Sequence, residues 1–100
     1  MPSNTTSRVF FYAYVLESKI DGKRYIGYTS NIKRRLEEHK NNKTFSTKYR
    51  LPFSLIYFEG CLFSQDAKRR EKYFKTHQGR KFLGLRLTEH KRATAFGSRG

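Results

Sequence analysis

Apolar positions along the chain fall into short blocks separated by polar punctuation. Val9-Phe10-Phe11-Tyr12-Ala13-Tyr14-Val15-Leu16 is β-branched and aromatic, Ile20-Asp21-Gly22-Lys23 carries a turn signal, and Arg24-Tyr25-Ile26-Gly27-Tyr28 resumes strand chemistry. This pattern predicts a β-hairpin. Ser30-Asn31 then offers an N-cap to a helix over 32–40, where Ile32 and Leu36 form an i, i+4 apolar pair and neither Gly nor Pro intervenes. Asn41-Asn42 ends that helix, and a polar loop from Lys43 to Arg50 leads into a third strand, Phe53 to Phe58, with Pro52 at its start. Ser64 is expected to cap a second helix reaching about Thr76. Gly79 is expected to break the chain, and a third helix to run from Arg80 to about Thr88. The predicted order β-β-α-β-α-α describes a small α/β (α+β) layer domain over 9–90, with about three helices. Residues 1–8 and 91–100 show no sustained period and are expected to be flexible tails, the second of them basic.

Two of the predicted helices break their own pattern. In the first, the stripe that should face the sheet reads Ile32, Arg35, Leu36 and His39; in the second it reads Ala67, Arg70, Glu71 and Phe74. A single misplaced charge usually snorkels to water from the edge of a buried face. Matched anomalies in two helices point instead to a site, because local rules tend to fail where function is located.

The hairpin leaves its register open. A turn centred on Asp21-Gly22 sets Tyr14 opposite Thr29 and Tyr25 opposite Ser18, on one face but about 13 Å apart along the strand. A turn centred on Ile20-Asp21 brings the two tyrosines diagonally closer, and an odd loop length puts them on opposite faces. Tyrosine is also a common strand residue that needs no special purpose.

Composition narrows the partner. The 100 residues carry 22 Lys+Arg against 8 Asp+Glu, a formal charge of +14, which draws the chain toward phosphate polymers or anionic surfaces. The cations are spread over several elements, which favours nucleic acid over a membrane-surface helix. Cys61 alone excludes an internal disulfide, and three widely separated histidines give no zinc spacing. No long apolar run or signal peptide occurs, so a cytoplasmic protein is expected. So few carboxylates predict a metal site with at most one of them, not a centre bridged by several acids.

At these residues the sequence resembles the GIY-YIG nuclease family, in particular its small stand-alone bacterial members and, more distantly, the N-terminal nuclease domain of an excinuclease. The second half of the signature stands intact as Tyr25-Ile26-Gly27, whereas the first half is Tyr12-Ala13-Tyr14 and keeps only its tyrosine. Ten residues separate the two signature tyrosines, an arginine follows ten positions after the second, and a histidine four later. Ser46-Thr47-Lys48-Tyr49-Arg50-Leu51-Pro52-Phe53 and the stretch from Ala67 through Glu71 to Tyr73 resemble the small-member subfamily, and the match spans about residues 11–87. The polar residue that some members carry about twelve positions after the glutamate is Leu83 here, so no role carries over to it.

The resemblance implies a small three-stranded antiparallel sheet flanked by helices, and a metal-dependent endonuclease that hydrolyses phosphodiester bonds in DNA. Little sequence specificity is expected, as is a part in DNA repair or processing. Carried over position by position, Tyr14 and Tyr25 are the signature tyrosines, Arg35 and His39 their basic partners, and Glu71 the carboxylate that holds one Mg²⁺ or Mn²⁺ ion. A planar guanidinium suits a scissile phosphate, and a single carboxylate suits a hard cation that keeps its waters. Tyr14 is the candidate base, provided that a cation stabilises its phenolate or His39 takes its proton, and Tyr25 positions or relays; the two roles can be exchanged, and His39 can itself be the base. Lys23, Arg24, Arg34, Lys48, Arg50, Lys68, Arg70 and Lys72 are expected to contact backbone phosphates, with Arg69, Lys75, Arg80 and Lys81 among the further cations beyond them. A monomer is expected, using a protein partner for targeting and no membrane, with RNA as the other polymer to test. The competing reading is a nucleic-acid-binding module whose nuclease site is vestigial.

Overall fold

The computed structural model describes residues 9–41 and 52–97. The hairpin forms as β1 (Phe11–Ser18) and β2 (Arg24–Thr29), followed by α1 (Ile32–Lys40), β3 (Phe53–Cys61), α2 (Ser64–Phe74), α3 (His77–Arg86) and α4 (Thr88–Gly97). The strands make one antiparallel sheet in the order β2-β1-β3, which confirms the three-stranded α/β (α+β) architecture. Four helices are described where about three were expected, because residues 88–97 continue as α4. Lys48 and Arg50, with the rest of the 42–51 stretch, lie outside the described residues.

The hairpin takes the closer of the two even registers. Tyr14 pairs with Gly27 and Leu16 with Tyr25, so the arrangement with Tyr14 opposite Thr29 is not the one adopted. The strands close where Ser18 N–H donates to the Lys23 carbonyl at 2.9 Å, leaving a loop over 19–22. Gly22 supplies its left-handed residue at φ 73°. Asp21 Oδ1 accepts from the Lys23 amide at 3.0 Å and stiffens the turn.

Alternation along β1 divides the molecule into layers. Ala13 and Val15 face α2 and α3, where they pack with Phe74 and Leu83 in a core ringed by Ile26, Ile56, Tyr57, Tyr73 and Phe82. The register shift opposite Val15/Leu16 leaves Ile56 as an extra residue in β3, so it and the adjacent Tyr57 can both pack against this core. Tyr14, Leu16 and Ser18 are buried on the opposite face, where α1 lies.

Helix ends follow from side-chain caps, with two departures from expectation. Asn31 caps α1 as its side chain accepts from the Arg34 amide at 3.0 Å. Ser64 is the first residue of α2 and not its cap, a place taken by Phe63 without a side-chain hydrogen bond. The chain breaks at Lys75-Thr76, and Thr76 caps α3 by accepting from the Gly79 amide at 3.0 Å. Gly79 therefore lies inside the first turn of α3, where a Cβ would collide with the Tyr73 carbonyl at the end of α2.

Arg70 ties the α2–α3 layer to β3. Its guanidinium donates to both Glu59 carboxylate oxygens at 2.8 and 3.1 Å and lies 4.8 to 5.1 Å from the ring centroids of Tyr73, Phe74 and Phe82. Partial burial alone would raise the Glu59 pKa, but hydrogen bonds from Arg70 and Tyr57 and the positive charge of Arg70 outweigh it and hold the carboxyl below its ordinary value. A carboxyl held down in this way adds stability above the unfolded value of about 4.3, and the contribution is lost as pH falls through the folded value. In urea titrations, Glu59→Gln should therefore cost about 1 kcal/mol at pH 7 and less at pH 3. An equal loss at both pH values would remove charge pairing as its cause.

Candidate active site

Tyr14, on central strand β1, is 1% exposed and projects toward α1. Its ring lies over Gly27 of β2 so closely that a Cβ at position 27 would meet the Tyr14 hydroxyl and the adjoining ring carbon. The glycine of Tyr25-Ile26-Gly27 is thus a platform for the first signature tyrosine, its place dictated by close approach in an otherwise extended strand. Gly27→Ala should displace that ring and destabilise the fold by about 2 kcal/mol in chemical denaturation, with the hairpin retained. Wild-type stability would refute the platform role.

Around the Tyr14 hydroxyl the geometry is compact. Arg35 Nε donates to it at 3.4 Å, and His39 Nε2 lies 3.0 Å from it. Arginine only donates, so the phenol oxygen accepts from Arg35 and is free to donate its own proton to His39. Burial, with the positive charge of Arg35, lowers the His39 pKa and keeps the imidazole neutral, which suits an accepting Nε2. Burial also raises the Tyr14 pKa, with the Arg35 hydrogen bond opposing it, so Tyr14 rests as the phenol. Hydrogen bonds to Tyr14 and to Glu38, whose Oε1 is 2.8 Å from Nη1, hold Arg35 more firmly protonated than usual. Helix periodicity alone does not single out Glu38, although its i, i+3 spacing from Arg35 is a usable signal.

Tyr25 completes the cluster. Its ring centroid is 6.4 Å from that of Tyr14 and 5.2 Å from that of His39. It also borders a cavity of about 690 Å³ at the open edge of β2, shared with Gly27, Tyr28, Gln65, Lys68, Arg69, Glu71 and Lys72. Glu71 thus reaches the same opening from α2 as Tyr25 does from β2. Its side chain is 23% exposed and accepts from Lys75 Nζ at 2.8 Å. Among the described residues no group of three or more His, Cys, Asp or Glu could hold a metal ion. A lone carboxylate such as Glu71 is the kind of donor that suits a hard cation filling its other positions with water and phosphate.

The expected phosphate-contacting residues divide. Lys68 and Lys72 line the Glu71 cavity, and Lys68 Nζ also sits 5.2 Å from the Tyr28 ring centroid. Lys23 and Arg24 border a neighbouring cavity beside the hairpin loop. Arg34 stands exposed on α1, 3.8 Å from Glu38. Arg70 is not among the residues of either cavity, because the Glu59 ion pair and the aromatic rings of α2 and α3 hold it elsewhere. Arg69, also among the cations expected to contact phosphates, borders the Glu71 cavity, and so does Gln65, a position that helical spacing from Lys68 and Lys72 would have indicated.

No described helix is long and apolar enough to cross a membrane. A model of the GIY-YIG catalytic domain matches residues 10–83. UPF0213 protein SAG0778 of Streptococcus agalactiae serotype V is 46% identical over 65 residues, covering 64% of this chain and 73% of that protein. UPF0213 protein SpyM3_1077 of Streptococcus pyogenes serotype M3 is 41% identical over 70 residues, covering 69% of this chain and 75% of that protein. The solution NMR structure of UPF0213 protein BH0048 from Bacillus halodurans is 32% identical, covers 74% of this chain and 81% of its own, and superposes with a TM-score of 0.47. With its signature tyrosines, arginine and histidine gathered on one side of the sheet and the domain match running across nearly all its elements, the chain belongs to the GIY-YIG family.

Proposed function

We propose that this protein is an endonuclease that hydrolyses phosphodiester bonds in DNA with one divalent ion, Mg²⁺ or Mn²⁺. It works in the cytoplasm in DNA repair or processing, with little sequence preference of its own. Membership of a nuclease family implies a nucleic-acid substrate. The observation that carries the catalytic reading is the hydrogen-bonded series Arg35, Tyr14, His39 beside a cavity that Tyr25 and Glu71 share. Tyr25 joins the two, with its ring beside Tyr14 and His39 and its place in the cavity wall shared with Glu71.

Arg35 binds the scissile phosphate through the guanidinium edge not committed to Tyr14 and Glu38, and its charge offsets that building on the nonbridging oxygens. Tyr14 takes a proton from the attacking water as its own passes to His39 Nε2, so no free phenolate is needed. Tyr14 is nearly enclosed, so this step needs the Arg35 side chain, itself one third exposed, to shift when phosphate binds. Tyr25, at the cavity wall, orients the phosphate or the water. Glu71 would hold the divalent ion, which supplies Lewis-acid stabilisation of the phosphate and leaving oxygen when bound. Lys68, Arg69 and Lys72 surround the opening and contact backbone phosphates, which gives affinity without base reading.

The test is a cleavage panel of duplex, flapped and single-stranded DNA and matching RNA, with Mg²⁺, Mn²⁺ or EDTA, comparing wild type and Glu71→Ala. Metal-dependent cleavage of DNA by wild type alone is the expected result. Binding without cleavage on every substrate would replace the endonuclease with a binding module, and cleavage confined to RNA would move the substrate class.

A further inference from the structure

A second cavity, of about 610 Å³, lies between the hairpin loop and the junction of α2 and α3, next to the one that holds Glu71. Tyr25 forms a wall of both. Four cations from three separate stretches of chain converge on it: Lys23 and Arg24 from the end of the hairpin loop, Lys75 from the end of α2, and Arg80 from α3. Ile26 and Leu83 contribute its apolar surface.

The charge there is unevenly compensated. Glu17 partners Arg24 at 3.4 Å and Glu71 partners Lys75 at 2.8 Å, whereas Lys23 and Arg80 make no ion pair among the described residues. Holding like charges together in a concave site costs Coulomb energy that an anion of the right size relieves. A surface that only kept the chain soluble would spread these residues apart, yet the fold brings them from positions 23 to 80 into one recess.

We propose that this recess is a subsite for a non-scissile backbone phosphate, one that sets how the nucleic-acid strand lies across Tyr25 before cleavage. The inference rests on the nucleic-acid reading of the neighbouring site and adds to it a fixed second anchor point. Lys75 joins the two cavities. Its ammonium pairs with Glu71, which lines one, and Lys75 itself lines the other, so a phosphate in the recess competes with Glu71 for it. Strand binding thereby loosens the contact that occupies Glu71.

The test measures binding of a fluorescein-labelled DNA duplex and of a labelled single strand by anisotropy in EDTA, over a salt series, so that cleavage plays no part. Lys23→Ala/Arg80→Ala leaves Glu71 and its Lys75 partner in place. It should weaken binding roughly tenfold and reduce the log K against log salt slope by about one, the loss of one phosphate contact. Lys91→Ala/Arg92→Ala removes the same charge from α4, outside both cavities, and should leave the slope at its wild-type value. Arg80→Lys, which keeps a point charge, should retain most of the affinity. An unchanged slope in the first variant, or an equal fall in the control pair, overturns the subsite. No cleavage by wild type on the panel above, together with a selective fall in slope here, would retain the subsite and discard the nuclease.

Discussion

Glu71→Ala is expected to lower metal-dependent cleavage by about 10³-fold or more, while DNA affinity in EDTA stays within about threefold of wild type. The carboxylate is the acidic side chain at the cavity that Tyr25 shares, so no second acid among the described residues there can take over as metal ligand. The fold should survive. Glu71 is partly exposed and its ion pair is with Lys75, one turn along the same helix and itself 54% exposed, a contact worth little to stability. Removing Glu71 also deletes a negative charge beside cations, so binding should hold or tighten slightly. Cleavage at wild-type rate with the variant would place the metal elsewhere and remove Glu71 from the reaction. Loss of both cleavage and binding would make the residue structural.

Tyr14→Phe should cut cleavage by about 10²- to 10⁴-fold, the span of a lost general base, with Tyr25→Phe costing less. The reason lies in the hydrogen bonds: the Tyr14 hydroxyl has both a donor in Arg35 and an acceptor in His39. The ring stays in place over Gly27 when only the oxygen is removed, so far-UV circular dichroism should be unchanged. A larger loss for Tyr25→Phe than for Tyr14→Phe would exchange the two roles. The pH profile adds an independent check. His39 is held below its ordinary value of about 6.5 by burial and by Arg35, so it remains an acceptor at neutral pH and becomes charged only in more acid solution. The acid limb of kcat/KM should thus lie below pH 6.5. Between the unfolded and the lower folded value the unfolded chain binds more protons, so stability should also decline as pH falls through that window, and His39→Gln should flatten the decline.

How much of this could be read from the chain differs by element. The hairpin was legible because Asp21-Gly22 demands a turn between aromatic and β-branched runs, yet its register was not. That was settled across the strands, where the Tyr14 ring packs over Gly27, a contact with no local signal. The first two helices were legible, α1 from its apolar pair and N-cap and α2 from its start at Ser64, whereas α4 was not. Its residues lack an apolar stripe, and one contact that ties it to the sheet is a 2.8 Å pair between His90 and Glu17, distant in sequence. The anomalies in the helical stripes marked Arg35, His39 and Glu71, and identical reasoning marked Arg70. Only packing separates them: Arg70 is held by Glu59 and three aromatic rings, while Glu71 next to it turns to the opening beside Tyr25.

The amino-acid sequence by itself determined the order of the elements over most of the chain, and its excess of positive charge indicated a polyanionic partner. Both follow from composition and short-range periodicity, which act within a few residues, whereas the candidate site residues came from the resemblance to the GIY-YIG family. Tertiary structure decided which of those side chains meet. Tyr14 and His39 come within 3.0 Å across 25 positions, and Lys23 shares a recess with Arg80 across 57, because sheet register and helix packing are set by burial of the whole core. A single residue's preference carries no information about such contacts, since their energy exists only after the chain has closed the loops between them.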